Sequence, residues 1–111
     1  MRKWLKCRKH GLVENKTLRW NKVAINQFQA LIEYIAQDSP ANAEKVAHEV
    51  LNQIERLRTY PYIHTPDKYK WNNDGNYRAF ELHTFRVAYY ASSKEVRILR
   101  VRHTSQEPKL Y

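Results

Sequence analysis

The sequence predicts an α+β fold: an N-terminal antiparallel helical hairpin packed on one face of a small antiparallel sheet. The sheet is a three-strand meander with a candidate short strand ahead of the first helix. Three observations carry this reading. Two stretches repeat apolar residues at helical spacing across a short turn. Three β-rich runs follow, joined by two- and three-residue connections. The chain has 111 residues, the size of one domain with a single core.

Residues 1–16 mix charge and apolar side chains without a clear period and read as a basic extension; residues 17–111 read as the domain. Leu18-Arg19-Trp20 is the candidate first strand, and Asn21 is placed to cap the helix that follows. Ala24, Phe28, Leu31, Ile32 and Ile35 then fall on one helical face. Asp38-Ser39-Pro40 stops that helix. Pro40 cannot continue one, but it suits the first position of the next, with Ser39 as cap. In the second helix Ala43, Val46, Ala47, Val50, Leu51, Ile54 and Leu57 form an unbroken apolar stripe. Tyr60-Pro61 closes it.

Residues 61–76 are a loop rich in Pro, Asn and Asp, interleaved with Tyr62, Tyr69 and Trp71. The runs Tyr77–Leu82, Phe85–Ala91 and Glu95–Arg102 follow, separated by His83-Thr84 and Ser92-Ser93-Lys94. Connections this short make hairpins. Alternation puts Phe85, Val87, Tyr89 and Ala91 on one face of the middle strand and Arg86, Ala88 and Tyr90 on the other. In the last strand Arg100 and Arg102 share a face, with Leu99, Val101 and His103 opposite. Residues 104–111 read as a polar tail.

Composition narrows the function classes. No apolar run is long enough to span a bilayer, and no signal core follows the basic start. A lone cysteine, Cys7, cannot form an internal disulfide. A cytoplasmic protein is expected. Cys7 and His10 lack a second ligand pair, so no metal site and no cofactor are expected. Net charge is +9, distributed as +7 over residues 1–22, −2 over 23–75 and +4 over 76–111. Such basic ends suit a polyanion or an acidic protein partner, and equally a solvated basic surface.

Four segments together are similar to the RelE/ParE superfamily, the toxins of bacterial type II toxin–antitoxin pairs, over about Leu18 to Pro108. Leu31-Ile32-Glu33-Tyr34-Ile35-Ala36-Gln37-Asp38-Ser39-Pro40 resembles the turn between that family's helices. Ala43 to Leu57 resembles its second helix. Phe85-Arg86-Val87-Ala88-Tyr89 and Ile98-Leu99-Arg100-Val101-Arg102-His103 resemble two of its strands. The resemblance implies the hairpin-on-sheet fold and a cognate antitoxin that wraps the toxin. It leaves two targets: messenger RNA in the ribosome, which RelE-like members cut, or DNA gyrase, which ParE-like members poison without a nuclease site.

Metal-free RNA cleavage needs a base for the 2′-hydroxyl, an acid for the leaving oxygen, and cations for the phosphorane. Arginine suits the last role because its planar fork binds phosphate oxygens. By the resemblance, Arg86 aligns with an arginine of RelE-like sites, Arg78 lies near a basic position on the preceding strand, and His103 near another catalytic basic residue. Arg102 completes the catalytic candidates. Lys68, Lys70, Trp71, Arg100 and Tyr111 are candidates for holding nucleic acid, Trp71 by stacking on bases. Each also has a plain structural reading, as part of a solvated face, a strand cap, a cover for the core or a tail. RelE-like enzymes carry paired lysines on the strand that here reads Arg78-Ala79-Phe80-Glu81, and Phe80 falls near one of them. The arginine row and His103 put ribosome-dependent mRNA cleavage first. Gyrase poisoning is the alternative, and a non-enzymatic basic nucleic-acid-binding domain the third.

Overall fold

The computed structural model describes residues 15–106 and 110–111. Residues 1–14 of the basic extension, with Cys7 and His10, lie outside the described residues. The elements in chain order are β1 (Thr17–Trp20), α1 (Lys22–Asp38), α2 (Pro40–Arg56), β2 (Tyr77–Leu82), β3 (Phe85–Ala91) and β4 (Glu95–His103). The strands form one sheet in the order β1-β4-β3-β2. The meander β2-β3-β4 is antiparallel. β1 is different: it lies parallel to β4, Leu18 opposite Val96 and Trp20 opposite Ile98. A parallel partner needs a long connection, and here the helical hairpin and the meander together supply it.

The hairpin turn forms as its residues dictate. Ser39 is extended, and its hydroxyl accepts from the Asn42 N–H at 3.1 Å, with Pro40 in the first turn. Asn21 stands at the N-terminus of α1 without a side-chain cap bond. Its Oδ1 instead accepts from Arg97 on β4 at 3.3 Å, tying the helix start to the sheet.

α2 buries Ala43, Val46, Val50 and Ile54, followed by Leu57. Val46, Val50, Ile54 and Leu57 share one core with Phe85, Val87, Tyr89 and Ala91 of β3 and Val96, Ile98 and Val101 of β4. Truncating one of these large side chains to alanine costs about 2–5 kcal/mol. α1 is more peripheral. Only Ala24 is fully buried there, while Phe28, Leu31, Ile32 and Ile35 pack half-buried against the core edge. Phe28 meets Trp20 and Phe85 edge-on at 5.8 and 5.9 Å. α1 also covers part of the β4 edge: Gln27 Oε1 accepts from the Val101 N–H at 2.9 Å, beyond the stretch that β1 pairs.

A bulge interrupts β4. Ala88 faces Arg100 and Tyr89 faces Ile98, so Leu99 has no direct partner. The extra residue resets the alternation. Val96 and Ile98 face the helices before it, and Val101 after it. Arg97, Arg100 and Arg102 therefore all emerge on the opposite, helix-free face.

Candidate functional site

That helix-free face carries the site. β3 contributes Arg86, Ala88 and Tyr90 to it, and β4 contributes Arg100 and Arg102. The loop after α2 folds over its β2 edge. There the Asp67 N–H donates to the Tyr77 carbonyl at 2.8 Å, and the Ala79 N–H donates to the Thr65 carbonyl at 3.3 Å. Asn73 sets the loop's shape. Its amide donates to the carbonyls of Tyr77 (2.7 Å) and Asp67 (3.2 Å), while its Oδ1 accepts from the N–H of Gly75 and Tyr77. Gly75 has φ +95°, a conformation that other residues resist.

This folding delivers Asp67 into the middle of the arginines. Asp67 is 4% exposed, the one charged side chain in the core set of the described residues. Its Oδ1 accepts from Arg86 Nη2 at 2.8 Å and from the Tyr69 N–H at 3.0 Å. Its Oδ2 accepts from the Tyr111 hydroxyl at 2.6 Å. A buried carboxylate is tolerated only with this density of donors. The other end of the Arg86 fork meets Glu81 at 3.1 Å, and its plane lies 5.0 Å from the Tyr69 ring centre.

The chain terminus closes over this cluster. The Tyr111 N–H donates to the Tyr69 carbonyl at 3.0 Å, and its carbonyl accepts from the Trp71 N–H at 2.7 Å. Burial pushes the Tyr111 hydroxyl well above its usual range, and the hydrogen bond to Asp67 adds to the shift. The space left among Asp67, Tyr69, Arg86, Arg100, Arg102 and Tyr111 is only about 20 Å³. That suffices for about one water, and a phosphate group would have to displace Tyr111.

The catalytic candidates separate. Arg86 and Arg102 are direct cross-strand partners on the helix-free face. Arg78 pairs with Tyr89, so it points the other way. Its guanidinium donates to the carbonyls of Gly75 (2.9 Å) and His64 (2.6 Å) and lies 5.0 Å from the Tyr62 ring centre. It braces the loop. His103 sits opposite Phe85, also turned from Arg86, and its Nδ1 engages the Ser105 N–H at 3.0 Å.

The nucleic-acid candidates stay together. Lys70 Nζ lies 4.7 Å from the Tyr77 ring centre and 5.5 Å from that of Tyr111. Arg100 lies 5.7 Å from the Tyr111 ring and Lys68 5.3 Å from the Tyr69 ring. Trp71 is 73% exposed beside them.

Two residues of weight have no counterpart among the sequence candidates. Asp67 reads as one more polar loop residue. His64 lines an open cleft of about 470 Å³ along the outer edge of β2, with Gln53, Phe80, Glu81 and Arg86. His64 stacks on Phe80 at 4.7 Å. The Gln53 amide lies 3.1 Å from its Nε2, so that nitrogen accepts. Burial, then the nearby Arg56 charge, lowers its pKa and holds the ring neutral.

A family profile described as "ParE toxin of type II toxin-antitoxin system, parDE" matches residues 18–108. A search of curated proteins gives no significant match. Among solved structures, a chain of the chromosomal ParDE system from P. aeruginosa aligns over 79% of this chain and 95% of its own, at 20% identity and a TM-score of 0.61. A chain of the RelBE2 toxin–antitoxin complex from Mycobacterium tuberculosis aligns over 86% of this chain and 98% of its own, at 18% identity and a TM-score of 0.56. At such identities the two structures establish the shared fold.

Proposed function

The chain belongs to the ParE family of toxins of type II toxin–antitoxin systems, and from that membership we propose that it arrests growth by poisoning DNA gyrase. It is not read as a nuclease of ribosome-bound messenger RNA. One observation carries the choice. Arg86, the best-placed residue for stabilising a phosphorane, already holds two carboxylates, Asp67 and Glu81. A transition-state cation must be available to the charge that develops. Arg86 instead neutralises a buried carboxylate, and Tyr111 seals the cleft beside it. Of the other three catalytic candidates, Arg78 and His103 lie on the far side of the sheet from Arg86, and only Arg102 stands beside it. On this reading Arg86, Arg78, Arg102 and His103 are structural or surface residues and no residue of the chain performs covalent chemistry.

The RelE-type reading has one observation in its favour: Arg86, Arg100, Arg102 and Tyr111 do converge on one cleft. It requires Tyr111 to swing out and Arg86 to exchange Asp67 for phosphate. The exchange trades a buried ion pair for a solvated one and leaves Asp67 charged and short of a donor, at a cost of several kcal/mol.

A cognate antitoxin and a cytoplasmic setting complete the proposal. Both aligned structures come from toxin–antitoxin pairs. α1 also leaves Val23, Ile25 and Tyr34 exposed, apolar surface that a partner can cover. Induced expression in a growing bacterium, with transcript integrity and plasmid supercoiling followed in parallel, tests the proposal. Relaxed plasmid, DNA breaks and intact transcripts are expected. Cut transcripts with normal supercoiling favour the RelE-type reading, and harmless high-level expression contradicts toxicity itself.

A further inference from the structure

The seam between α2 and the outer edge of β2 is built on two histidines, and neither has a part in gyrase poisoning. Glu49 and Gln53 stand one turn apart on α2. Glu49 meets His83 in the turn between β2 and β3, and Gln53 meets His64 in the loop. We infer that His64 is a proton-gated lid on this edge. Neutral, its ring lies on Phe80; charged, the ring leaves Phe80 for the open cleft beside it, and the strand edge beneath loosens. The inference goes beyond gyrase poisoning and does not depend on it.

Packing explains the closed state. The His64 ring stacks on Phe80 at 4.7 Å between centres, with planes 27° apart, and meets Tyr89 edge-on at 6.3 Å. Under this cover Phe80 is only 6% exposed. A neutral imidazole serves there as a flat, mostly apolar body with a polar tip. An imidazolium in the same place loses water it needs. Gln53 is not the obstacle, because its amide can turn over and accept from a protonated Nε2. The surrounding charges are. Arg56 from α2 disfavours a cation at His64, and the Arg78 guanidinium from β2 already sits on the His64 carbonyl at 2.6 Å. His64 takes part in no ion pair among the described residues.

The cleft supplies the way out. It holds about 470 Å³ and is lined by Glu81 and Arg86 as well as by His64. Arg86 is held by both Asp67 and Glu81. Glu81 gives it only Oε2, at 3.1 Å, and its side chain stays 56% exposed. A charged His64 ring therefore moves away from a cation, Arg56, and toward a solvated carboxylate. The backbone is weakest at the same place. The Ala79 N–H reaches the Thr65 carbonyl at 3.3 Å, whereas the Asp67 N–H reaches the Tyr77 carbonyl at 2.8 Å. Opening begins at Thr65 and stops at Asp67. At the far end of the seam a proton on His83 strengthens its contact with Glu49, so acid leaves α2 clamped to the turn.

NMR on the full chain between about pH 8 and about pH 5, the range in which histidine charges, tests this. The nuclear Overhauser contact between the His64 and Phe80 rings should be present at the upper end and fade with the same midpoint as the His64 titration. Amide protection at Ala79, corrected for intrinsic exchange, should fall by up to about tenfold per pH unit below about 6.5, because the open state takes up its proton at the ordinary histidine value and the closed state does not. Protection at Val101, whose N–H donates to Gln27 near the other edge of the sheet, should not change. His64→Gln should make Ala79 protection independent of pH, and Arg56→Ala should move the midpoint to higher pH. Circular dichroism verifies that each variant is folded. A Phe80 contact that survives on the charged ring overturns the inference. So does a joint loss of protection at Ala79 and Val101, which is global unfolding, or a midpoint indifferent to Arg56→Ala.

Discussion

Replacing Arg86 by alanine separates a catalytic arginine from a structural one. Asp67 has three donors: Arg86 at 2.8 Å, Tyr111 at 2.6 Å and the Tyr69 N–H at 3.0 Å. Only Arg86 carries a compensating charge, and the Asp67 side chain is 2% exposed. Removing one partner of such a buried pair costs about 3–5 kcal/mol, because the other charge remains in low dielectric. Domains of this size melt about 4 °C lower per kcal/mol lost, so Arg86→Ala should melt roughly 10–20 °C lower. Circular dichroism melts at neutral pH measure this. Asp67→Asn added to Arg86→Ala should recover much of the loss, since the stranded charge is gone. A single variant that melts within about 3 °C of the parent, or a double variant no better than the single, would refute the structural role. Loss of toxicity in Arg86→Ala therefore reports loss of fold before it reports chemistry.

Three further outcomes follow from the same contacts. Tyr111→Phe removes a donor to a buried carboxylate and should cost about 1.5–3 kcal/mol; hydrogen exchange at the Trp71 amide, which donates to the Tyr111 carbonyl, should speed up with it. Ser39→Ala removes the cap of α2 and should cost about 1 kcal/mol in urea unfolding. Stability should fall at both pH extremes. Burial pushes the Tyr89 hydroxyl up to about 12, so its contribution is whole below about pH 10, the unfolded value, and is lost as pH rises through about 12. His64 is shifted the other way, so stability should decline as pH drops below about 6.5, where the unfolded chain takes up a proton first. His64→Gln should flatten that acid limb.

The fold was largely legible because its signals are local. The α2 stripe, the Ser39-Pro40 turn and the two hairpin connections each sit within one window of sequence, and the resemblance to the RelE/ParE superfamily rested on the turn, α2 and segments of the last two strands. The parallel placement of β1 was not legible, since four residues say nothing of a partner far along the chain. Nor was the bulge: simple alternation pairs Leu99 with Val101, whereas the slip at Leu99 is what puts Val96, Ile98 and Val101 in one core. One part of the site could have been read earlier. A two-residue turn at His83-Thr84 pairs Leu82 with Phe85, and hence Glu81 with Arg86 and Arg78 with Tyr89. That register alone sends Arg78 away from Arg86. Asp67 could not be found this way. It reaches Arg86 across 19 residues and Tyr111 across 44, and its burial depends on a loop whose path is set by tertiary contacts. For the same reason Tyr111 reads as tail but closes the arginine cleft.

The most direct test of the account uses purified components: gyrase, ATP, relaxed plasmid and the protein, beside ribosomes programmed with a defined message. The account predicts lost supercoiling, linear plasmid released on denaturation, and an intact message. Undisturbed supercoiling together with a message cut in the ribosome would contradict it, and would mean that the Asp67–Arg86 pair opens in the presence of substrate.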